Sequence, residues 1–264
     1  MITWIVQTNL VKEELFLDIK KATEKFGHGC TGLKIIPFSD SVEFAADIGF
    51  APPEGKLVPY GSTSMIKMFA RSKWNKQGFF FNEENLKTSK WAKELGSSIL
   101  NYDAQFMTLK EAMALKEGQF FMKPDNDLKD FCGTEVEAKD IANLYDQVSA
   151  GGFCFGTDIP VVLCPIKNTG WEYRLFMIKD KVVAFSSYKL KSMLRQDQPV
   201  PSEVIRFAQQ TASLWHPDDV YVMDVCETDN GLKVVEFNCF NASGFYKCDV
   251  ESVIRQVSEY VESK

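Results

Sequence analysis

Acidic and amide side chains recur in the stretch from Val220 to Tyr246, and these residue types can bind a cation. The runs Val220–Cys226 and Leu232–Asn238 are rich in β-branched and aromatic residues, as strands are. Between them, Asp229-Asn230-Gly231 supplies the flexible residues that a tight connection needs, with glycine suited to a left-handed conformation. The stretch therefore predicts a β-hairpin that carries oxygen ligands.

The length of the loop predicts which residues of this hairpin face each other. A three-residue loop pairs Thr228 with Leu232. Counting back along both strands then pairs Asp224 with Glu236. Alternation along a strand places Asn238 on the same side as Glu236, so the two carboxylates and the amide share one face. A two-residue loop would separate Asp224 from the other two.

Two carboxylates that face each other repel, and the pairing favours a cation between them. Oxygen ligands of this kind suit Mg²⁺, which takes one or two protein carboxylates and completes its octahedron with water and phosphates. Asp224, Glu236 and Asn238 are therefore candidate metal ligands. The alternative is a solvated acidic face of the hairpin.

A lysine at the end of another strand is a candidate phosphate ligand. The apolar strand Phe120–Lys123 leads into the loop DNDLKDFCG, which ends at Gly133. A glycine-containing loop can fold over phosphates while the ammonium acts on them as a point charge, although this loop does not match the P-loop motif. The alternative is a solvated surface lysine.

Two further charges share one face of a predicted strand. Trp171–Ile178 alternates so that Glu172 and Arg174 point the same way. Such a pair is either functional or a surface ion pair of little energetic value. The basic segment 189–200, KLKSMLRQDQPV, suits a loop over an anionic ligand as well as it suits exposure to solvent.

Length and composition predict a globular protein of one large domain or two closely packed lobes. The chain has 264 residues, of which 45% are hydrophobic and 25% charged. A net charge of −6 and a pI near 5.2 argue against nucleic acid as the main partner. There is no apolar run of the roughly 20 residues that cross a bilayer, and the N-terminus turns acidic too early for a signal peptide. These features predict a cytoplasmic protein without a membrane partner.

Cysteine and histidine give little support to a zinc site or a Cys–His nucleophile. The chain has 7 cysteines and 2 histidines, and it lacks a CxxC pair. Reduced thiols are expected.

The first part of the chain alternates strands and helices, which predicts a parallel sheet covered by helices. Asn9 is the expected cap of a first helix, and Gly96 the expected end of a later one. The dinucleotide-binding glycine fingerprint is missing, so NAD is not predicted. The predicted strands are Thr3–Gln7, Leu33–Phe38, Lys56–Tyr60, Phe79–Asn82 and Ile99–Tyr102, and the second helix covers Thr88–Leu95.

The later elements carry the candidate site residues. Thr108 and Thr134 each begin a capping-box pattern, the second of which predicts a helix with Ile141, Leu144, Tyr145 and Val148 on its buried stripe. Ser202 and Asp249 are the expected caps of two further helices, the first with Phe207, Thr211, Leu214 and Trp215 inside. Predicted strands are Pro160–Ile166, Trp171–Ile178 and Val182–Ser187. The expected lobe boundary lies at 103–108, which divides the chain into 1–105 and 106–264.

In this order, from Phe120 to Tyr246, the features resemble the ATP-grasp superfamily. The segments EYRLFMIKDKVVAFSSYK and VVEFNCFNASGFY are most similar to the R-two-K clade, a group predicted to act as peptide or amide ligases. The resemblance implies an ATP-grasp fold of the α/β (α+β) class, with a Rossmann-like lobe over 1–105 before the nucleotide-binding and catalytic region.

The resemblance also implies roles for the candidate residues. Lys123 and the loop through Gly133 would contact nucleotide phosphates, Cys164–Ile166 would form the adenine-binding hinge, and Glu172 would bind ribose. Asp224, Glu236 and Asn238 would hold Mg²⁺, the first two also as part of the nucleotide site, and Arg174 would lie near the transferred phosphoryl group. The hinge departs from the family pattern because it lacks an acidic residue, and the loop is poor in glycine. Either Lys67 or Lys73 would supply a second nucleotide lysine.

The implied chemistry is activation of a carboxylate by the γ-phosphate of ATP, followed by attack of an amine on the acyl phosphate. Lys123 and Arg174 are the expected catalytic cations, and phosphoryl transfer needs charge neutralisation rather than a protein nucleophile. The substrates would be small-molecule or peptide carboxylates and amines. The competing hypotheses are an inactive nucleotide-binding protein that acts through a protein partner and an acidic structural protein. The sequence does not specify the substrates or the oligomeric state.

Overall fold

The structure, a computed structural model, describes residues 1–35, 50–128, 130–150, 156–191 and 193–264, with the backbone alone at positions 148 and 149. The predicted strand Leu33–Phe38 lies partly outside these residues, as does the side chain of Val148. Of its described positions 33–35, Leu33 alone belongs to a strand, which begins earlier, at Gly29. Among the described helices, none has the length and apolarity to cross a bilayer. The six described cysteines are free thiols, as expected.

A three-stranded parallel sheet opens the chain. Strand β1 (Ile2–Gln7) lies between β2 (Gly29–Leu33) and β3 (Lys56–Tyr60), and every residue of β1 is buried. Helices α1 (Glu13–Lys25) and α2 (Thr63–Arg71) follow β1 and β3. The predicted alternation of strands and helices is confirmed.

Asn9 does not cap α1, contrary to the prediction. The helix begins at Glu13, and its N-cap residue Lys12 makes no side-chain capping bond within the described chain. Asn9 instead bonds both backbone groups of Ile35: Nδ2 donates to the carbonyl at 2.6 Å and Oδ1 accepts from the amide at 3.1 Å. An amide side chain has both a donor and an acceptor, so it can bond the amide and the carbonyl of one residue, and this pairing replaces the cap.

Two short strands predicted in the first part are wrong. Phe79–Asn82 is irregular because the Phe80 amide donates to the side chain of Asn241 at 2.8 Å rather than to a strand. Ile99–Tyr102 forms only an isolated bridge, between Ile99 and Val234. Helix α3 (Thr88–Leu95) is confirmed, and Gly96 ends it with φ +51°.

A four-stranded antiparallel sheet follows. It contains β4 (Gln105–Thr108), β5 (Gln119–Pro124), β6 (Thr134–Glu137) and β7 (Pro160–Cys164), in the order β4-β7-β5-β6. Between them lie helices α4 (Leu109–Met113) and α5 (Ile141–Ala150). Thr108 caps α4 in a capping box, as predicted.

The second predicted capping box, at Thr134, is not formed. Thr134-Glu135-Val136-Glu137 is strand β6, and the helix begins at Ile141 after a 3₁₀ turn. The segment alternates half-buried and exposed residues, and Val136 lies opposite Phe120 of β5. A ladder with β5 satisfies this period-2 pattern, and it outweighs the local helix-start signal.

A five-stranded antiparallel sheet completes the fold. Its strands are β8 (Trp171–Ile178), β9 (Lys181–Leu190), β10 (Met193–Leu194), β11 (Val220–Thr228) and β12 (Gly231–Cys239), in the order β10-β9-β8-β11-β12. Helix α6 (Ser202–Leu214) precedes β11; its N-cap is Pro201, so Ser202 is the first helical residue rather than the predicted cap. Helix α7 (Val250–Ser263) ends the chain with Asp249 as its cap, as predicted. The predicted inner position Leu214 is 75% exposed, because α6 buries Val204, Ala208, Thr211 and Ala212 instead.

The hairpin of β11 and β12 has the predicted pairing at the site, but not the predicted loop. Thr228 pairs with Gly231 rather than Leu232, so the loop has two residues, and Gly231 takes φ +89°. The register then shifts by one between Asp224 and Val225. This bulge restores the pairing of Asp224 with Glu236.

The parallel sheet and the five-stranded sheet pack on shared cores, whereas the four-stranded sheet forms its own core with α4 and α5. One core combines Trp4 of β1 with Phe176 of β8 and Val253 of α7, and α7 also packs against α1. A second core combines Trp91 of α3 with Phe237 of β12. The division at 1–105 and 106–264 remains a prediction.

Candidate active site

A cavity of about 400 Å³ lies where the four-stranded and five-stranded sheets meet. Five of the predicted site residues line it, and four are buried behind its wall. The lining residues are Lys123, Gly133, Ile166, Glu172 and Glu236; the buried ones are Cys164, Arg174, Asp224 and Asn238.

Strand β5 brings Lys123 to the cavity, and the following loop closes over it. The ammonium lies 5.3 Å from the centre of the Trp91 ring. A Cβ atom built on Gly133 would lie 2.6 Å from Phe121 Cζ and 3.4 Å from Lys123 Cβ. Glycine therefore allows the loop backbone to approach the lysine strand closely.

Two aspartates anchor this loop, and the sequence analysis missed both. Asp125 accepts hydrogen bonds from the Ser89 amide at 2.7 Å and from its hydroxyl at 2.6 Å, at the start of α3. Asp127 accepts from the Cys239 amide at 2.7 Å, at the end of β12. The spacing Asp-x-Asp directly after Lys123-Pro124 was the available signal, because short acidic side chains in loops bind backbone amides.

The predicted hinge reaches the cavity through Ile166 and its neighbours. Cys164 is buried in β7, and burial raises the pKa of its thiol to about 11, so it is inert at neutral pH. Pro165, Ile166 and Lys167 line the cavity. Lys167 pairs with Asp103 and lies 5.0 Å from the ring of Tyr102.

Glu172 faces the cavity with an unsatisfied oxygen. The residue is 6% exposed, and its buried Oε2 has no hydrogen-bond partner in the described part of the chain. Lys189, opposite it on β9, has its Nζ 3.7 Å away. Since a buried acceptor rarely lacks a hydrogen bond, Glu172 fits a ligand whose hydroxyl groups donate hydrogen bonds.

The second nucleotide lysine, expected at Lys67 or Lys73, stays a prediction. Lys67 and Lys73 do not line the cavity, whereas Lys167 and Lys189 do. Lys67 lies in helix α2 and Lys73 just beyond it. Alternation along β8 and β9, which places Lys189 opposite Glu172, was the signal that could have found one of the two.

A guanidinium satisfies the carboxylate of Asp224. Arg174 lies opposite Asp224 in the ladder of β8 and β11. Nε donates to Oδ1 at 2.8 Å and Nη2 to Oδ2 at 2.5 Å, in a bidentate pair. Burial opposes the charge of Arg174, but Asp224 outweighs it and raises the pKa of Arg174. The alternative of a surface ion pair between Glu172 and Arg174 is therefore excluded, because both residues are 6% exposed and Arg174 pairs with Asp224. Arg174 supplies part of the positive charge that the facing carboxylates require.

The three predicted metal ligands meet on one face, as the register required. Asn238 Nδ2 donates to Asp224 Oδ2 at 3.2 Å. Burial raises the pKa of Asp224 to about 6; Arg174 opposes the rise, and a hydrogen bond and charge from Glu236 add to it. One guanidinium therefore does not neutralise two carboxylates.

This donor set fits Mg²⁺ with Glu236 on the cavity side. The described residues contain no cluster of three His, Cys, Asp or Glu side chains placed to hold a metal. Mg²⁺ needs fewer, because one or two carboxylates suffice when phosphates and water complete its shell. Asp224, 0% exposed, and Asn238, 4% exposed, stand behind Glu236.

Two tyrosine rings, with centroids 5.1 Å apart, lie beside the guanidinium of Arg174. Its guanidinium carbon lies 5.0 Å from the ring of Tyr188 and 4.9 Å from that of Tyr246. Tyr188 lines the cavity, and the register of β8 and β9 shifts beside it. Burial raises the pKa of Tyr188, and the charge of Asp224 adds to the rise, so the phenol stays neutral. Arg174 is therefore separated from the cavity by an aromatic ring.

The fold and the sequence of the site define the family. The model of the ATP-grasp domain, R-two-K clade family 3, matches residues 60–257, and the chain belongs to that family. Both the predicted superfamily and the predicted clade are confirmed. Membership supports ATP-dependent carboxylate–amine ligation as the general class of activity.

Solved structures share the fold at low sequence identity. The RimK domain ATP-grasp protein from Sphaerobacter thermophilus DSM 20745 gives a TM-score of 0.61 at 14% identity, covering 97% of this chain and 98% of that one. D-alanine–D-alanine ligase from Bacillus anthracis, complexed with ATP, gives 0.56 at 15% identity, covering 100% and 98%. The ATP-grasp ligase PsnB, complexed with a minimal precursor, gives 0.54 at 13% identity, covering 97% and 98%. A comparison with curated proteins found no match.

Proposed function

We propose that the protein is an ATP- and Mg²⁺-dependent carboxylate–amine ligase that works through an acyl phosphate. The observation that carries the proposal is the charge pattern of the cavity. Lys123, Lys167 and Lys189 line it together with Glu172 and Glu236. Ammonium groups suit the phosphates, and carboxylates suit a ribose and a divalent cation.

The nucleotide would lie along this cavity. Lys123 and the loop through Gly133 would hold the phosphates, and Glu172, whose Oε2 accepts no hydrogen bond in the described part of the chain, would accept hydrogen bonds from ribose hydroxyls. The hinge Cys164–Ile166 would bind adenine through backbone groups, because Cys164 is buried in β7 and the segment carries no acidic side chain.

Glu236 would be the cavity-side metal ligand, and Asp224 and Asn238 would support it from behind. Bound Mg²⁺ would supply charge neutralisation for the phosphates. Arg174 holds Asp224 in place and contributes a positive charge next to the carboxylates. For Arg174 to contact the transferred phosphoryl group, the ring of Tyr188 must move.

In the proposed reaction a substrate carboxylate oxygen attacks the γ-phosphorus, and the bond from that phosphorus to ADP breaks. The amine nitrogen then attacks the acyl carbon, the bond to phosphate breaks, and the ammonium proton is lost to solvent. Lys123 would balance the charge on the phosphates during the first step. A PsnB structure is a complex with a precursor peptide, and the D-alanine–D-alanine ligase structure is a complex with ATP. For this chain, peptide or small-molecule substrates are proposed.

The test is an ADP-release screen with Mg·ATP over amino acids, peptides and small carboxylates, followed by the mass of any condensed product. Once an acid is found, its ¹⁸O-labelled form should transfer one label to the released phosphate. Label retained entirely in the product would exclude the acyl phosphate. ATP binding without ADP release across the screen would favour the inactive nucleotide-binding protein.

A further inference from the structure

Trp91 of α3 forms a buried wall of the cavity. The residue is 1% exposed and meets the ring of Phe237 edge to face, with centroids 5.6 Å apart. Its Nε1 atom is buried and has no hydrogen-bond partner among the described residues. The position of Trp91 is therefore explained by the contacts of its ring and not by a hydrogen bond of its indole N–H group.

The face of this ring holds the ammonium of Lys123. Nζ lies 5.3 Å from the ring centre, and within the described chain no carboxylate forms a salt bridge to Lys123. Tryptophan offers the strongest aromatic face to a cation. Because a lysine side chain is long and flexible, the ring restricts where its charge lies.

A clamp two residues away sets the distance between ring and ammonium. Ser89, two residues before Trp91, donates its amide and hydroxyl hydrogens to Asp125, two residues after Lys123. The carboxylate of Asp125 is 6% exposed. Helix α3 and strand β5 are therefore held together beside the contact.

We infer that Trp91 is a positioning residue that presents the Lys123 ammonium to an anionic ligand. A carboxylate in its place would also hold the ammonium, but it would neutralise the charge and repel phosphate. An aromatic face holds the cation and leaves its charge available. The inference rests on the proposed nucleotide site, and it assigns Trp91 a role in phosphate binding that acts through Lys123.

The test compares the affinities of Mg·ATP and adenosine, which lacks phosphates, for the full chain and its variants. Trp91→Leu should weaken Mg·ATP binding about tenfold and leave adenosine unchanged, whereas Trp91→Phe should keep most of the affinity. In a Lys123→Met background, Trp91→Leu should have no further effect on Mg·ATP, because the cation is gone.

Trp215→Leu is the matched control, since Trp215 meets the same Phe237 ring edge to face at 5.7 Å but does not line the cavity. It should leave the ratio of the two affinities unchanged. Equal losses for both ligands in Trp91→Leu, or an additive loss with Lys123→Met, would overturn the inference and show a packing role. If wild-type protein binds neither ligand, the proposed function itself fails. If Trp91→Leu does not fold, the ratio of the Mg·ATP and adenosine affinities is measured in Trp91→Phe and Trp91→Met instead. Equal ratios in wild type and both variants would overturn the inference.

Discussion

Arg174 and Asp224 form an ion pair from which solvent is excluded. Asp224 is 0% exposed and Arg174 6% exposed, and two hydrogen bonds join them. Losing one partner of such a pair is costly because the other charge stays buried and unpaired. The pair therefore affects folding as well as the site.

Arg174→Met should lower the free energy of unfolding by about 3 to 5 kcal/mol, because it leaves Asp224 buried without its cation. Urea denaturation at pH 7 measures this loss. The control is Arg195→Met, which removes the exposed pair of Arg195 with Asp197 and should leave the unfolding midpoint unchanged. Similar midpoints for the two variants would contradict the assigned burial of the Arg174 pair.

Glu236→Gln should stabilise the fold at pH 7 while it abolishes ADP formation. The pKa of Asp224 is raised from 3.8 to about 6, so its protonated form favours the native state at low pH, and this contribution is lost as the pH rises through about 6. Removing the charge of Glu236 lowers that pKa. The variant should exceed wild type by about 1 kcal/mol at pH 7, with the difference shrinking toward pH 4.

Urea denaturation between pH 4 and pH 7 gives the two stability curves, and Glu259→Gln on the exposed face of α7 serves as the control. A constant difference between wild type and Glu236→Gln across this range would show that Glu236 does not act on Asp224. Unchanged ADP formation would remove Glu236 from the site.

Residue chemistry explains how much of the site could be predicted. The facing of Asp224 and Glu236 followed from pairing rules, and the need for a cation followed from their charges. Arg174 supplies part of the required positive charge because β8 lies next to β11. Strand order is a tertiary property, which local sequence patterns do not reveal. For the same reason the sequence did not show that Lys167 and Lys189 line the cavity.

At the scale of elements, the bulge in the hairpin of β11 and β12 decides the geometry of the site. A two-residue loop without it would shift Glu236 away from Asp224. Loop chemistry predicted a positive φ at Gly231, which the structure confirms at +89°. The bulge itself depends on how β12 twists against its neighbours, and the local sequence does not encode that clearly.

Gly133→Ala should weaken Mg·ATP binding about tenfold without unfolding the protein. The added Cβ would lie 2.6 Å from Phe121 Cζ, so the loop must move away from Lys123. Isothermal titration calorimetry measures the affinity. In the control Gly156→Ala the nearest atom to the added Cβ is 3.9 Å away, and its affinity should match wild type. Unchanged affinity in Gly133→Ala would show that the loop position does not matter for binding.

At the scale of the whole molecule, Asn241 connects the first part of the chain to the end of the hairpin. The side chain is 0% exposed; it accepts from the Phe80 amide at 2.8 Å and donates to the carbonyls of Pro59 at 2.6 Å and Gly78 at 3.0 Å. These contacts explain why 79–82 is not a strand. Separations of more than 150 residues made them invisible to local patterns.

Asn241→Ala should lower the free energy of unfolding by about 3 kcal/mol or more, because it leaves three buried backbone groups without a partner. Urea denaturation measures the change. Asn230→Ala, in the exposed hairpin loop, should have little effect. A loss below about 1 kcal/mol in Asn241→Ala would mean that water or rearranged backbone replaces the three bonds.

The most direct test of the account is the melting temperature with and without Mg·ATP. A ligand that binds only the native state at about 100 times its Kd adds about 2.7 kcal/mol of stability. For a chain of this size we expect a rise of several degrees at millimolar Mg·ATP. The rise should be smaller with ATP and EDTA, and smaller in Lys123→Met and Glu236→Gln. An unchanged melting temperature in wild type at millimolar Mg·ATP would contradict the nucleotide cleft on which the proposed ligase depends.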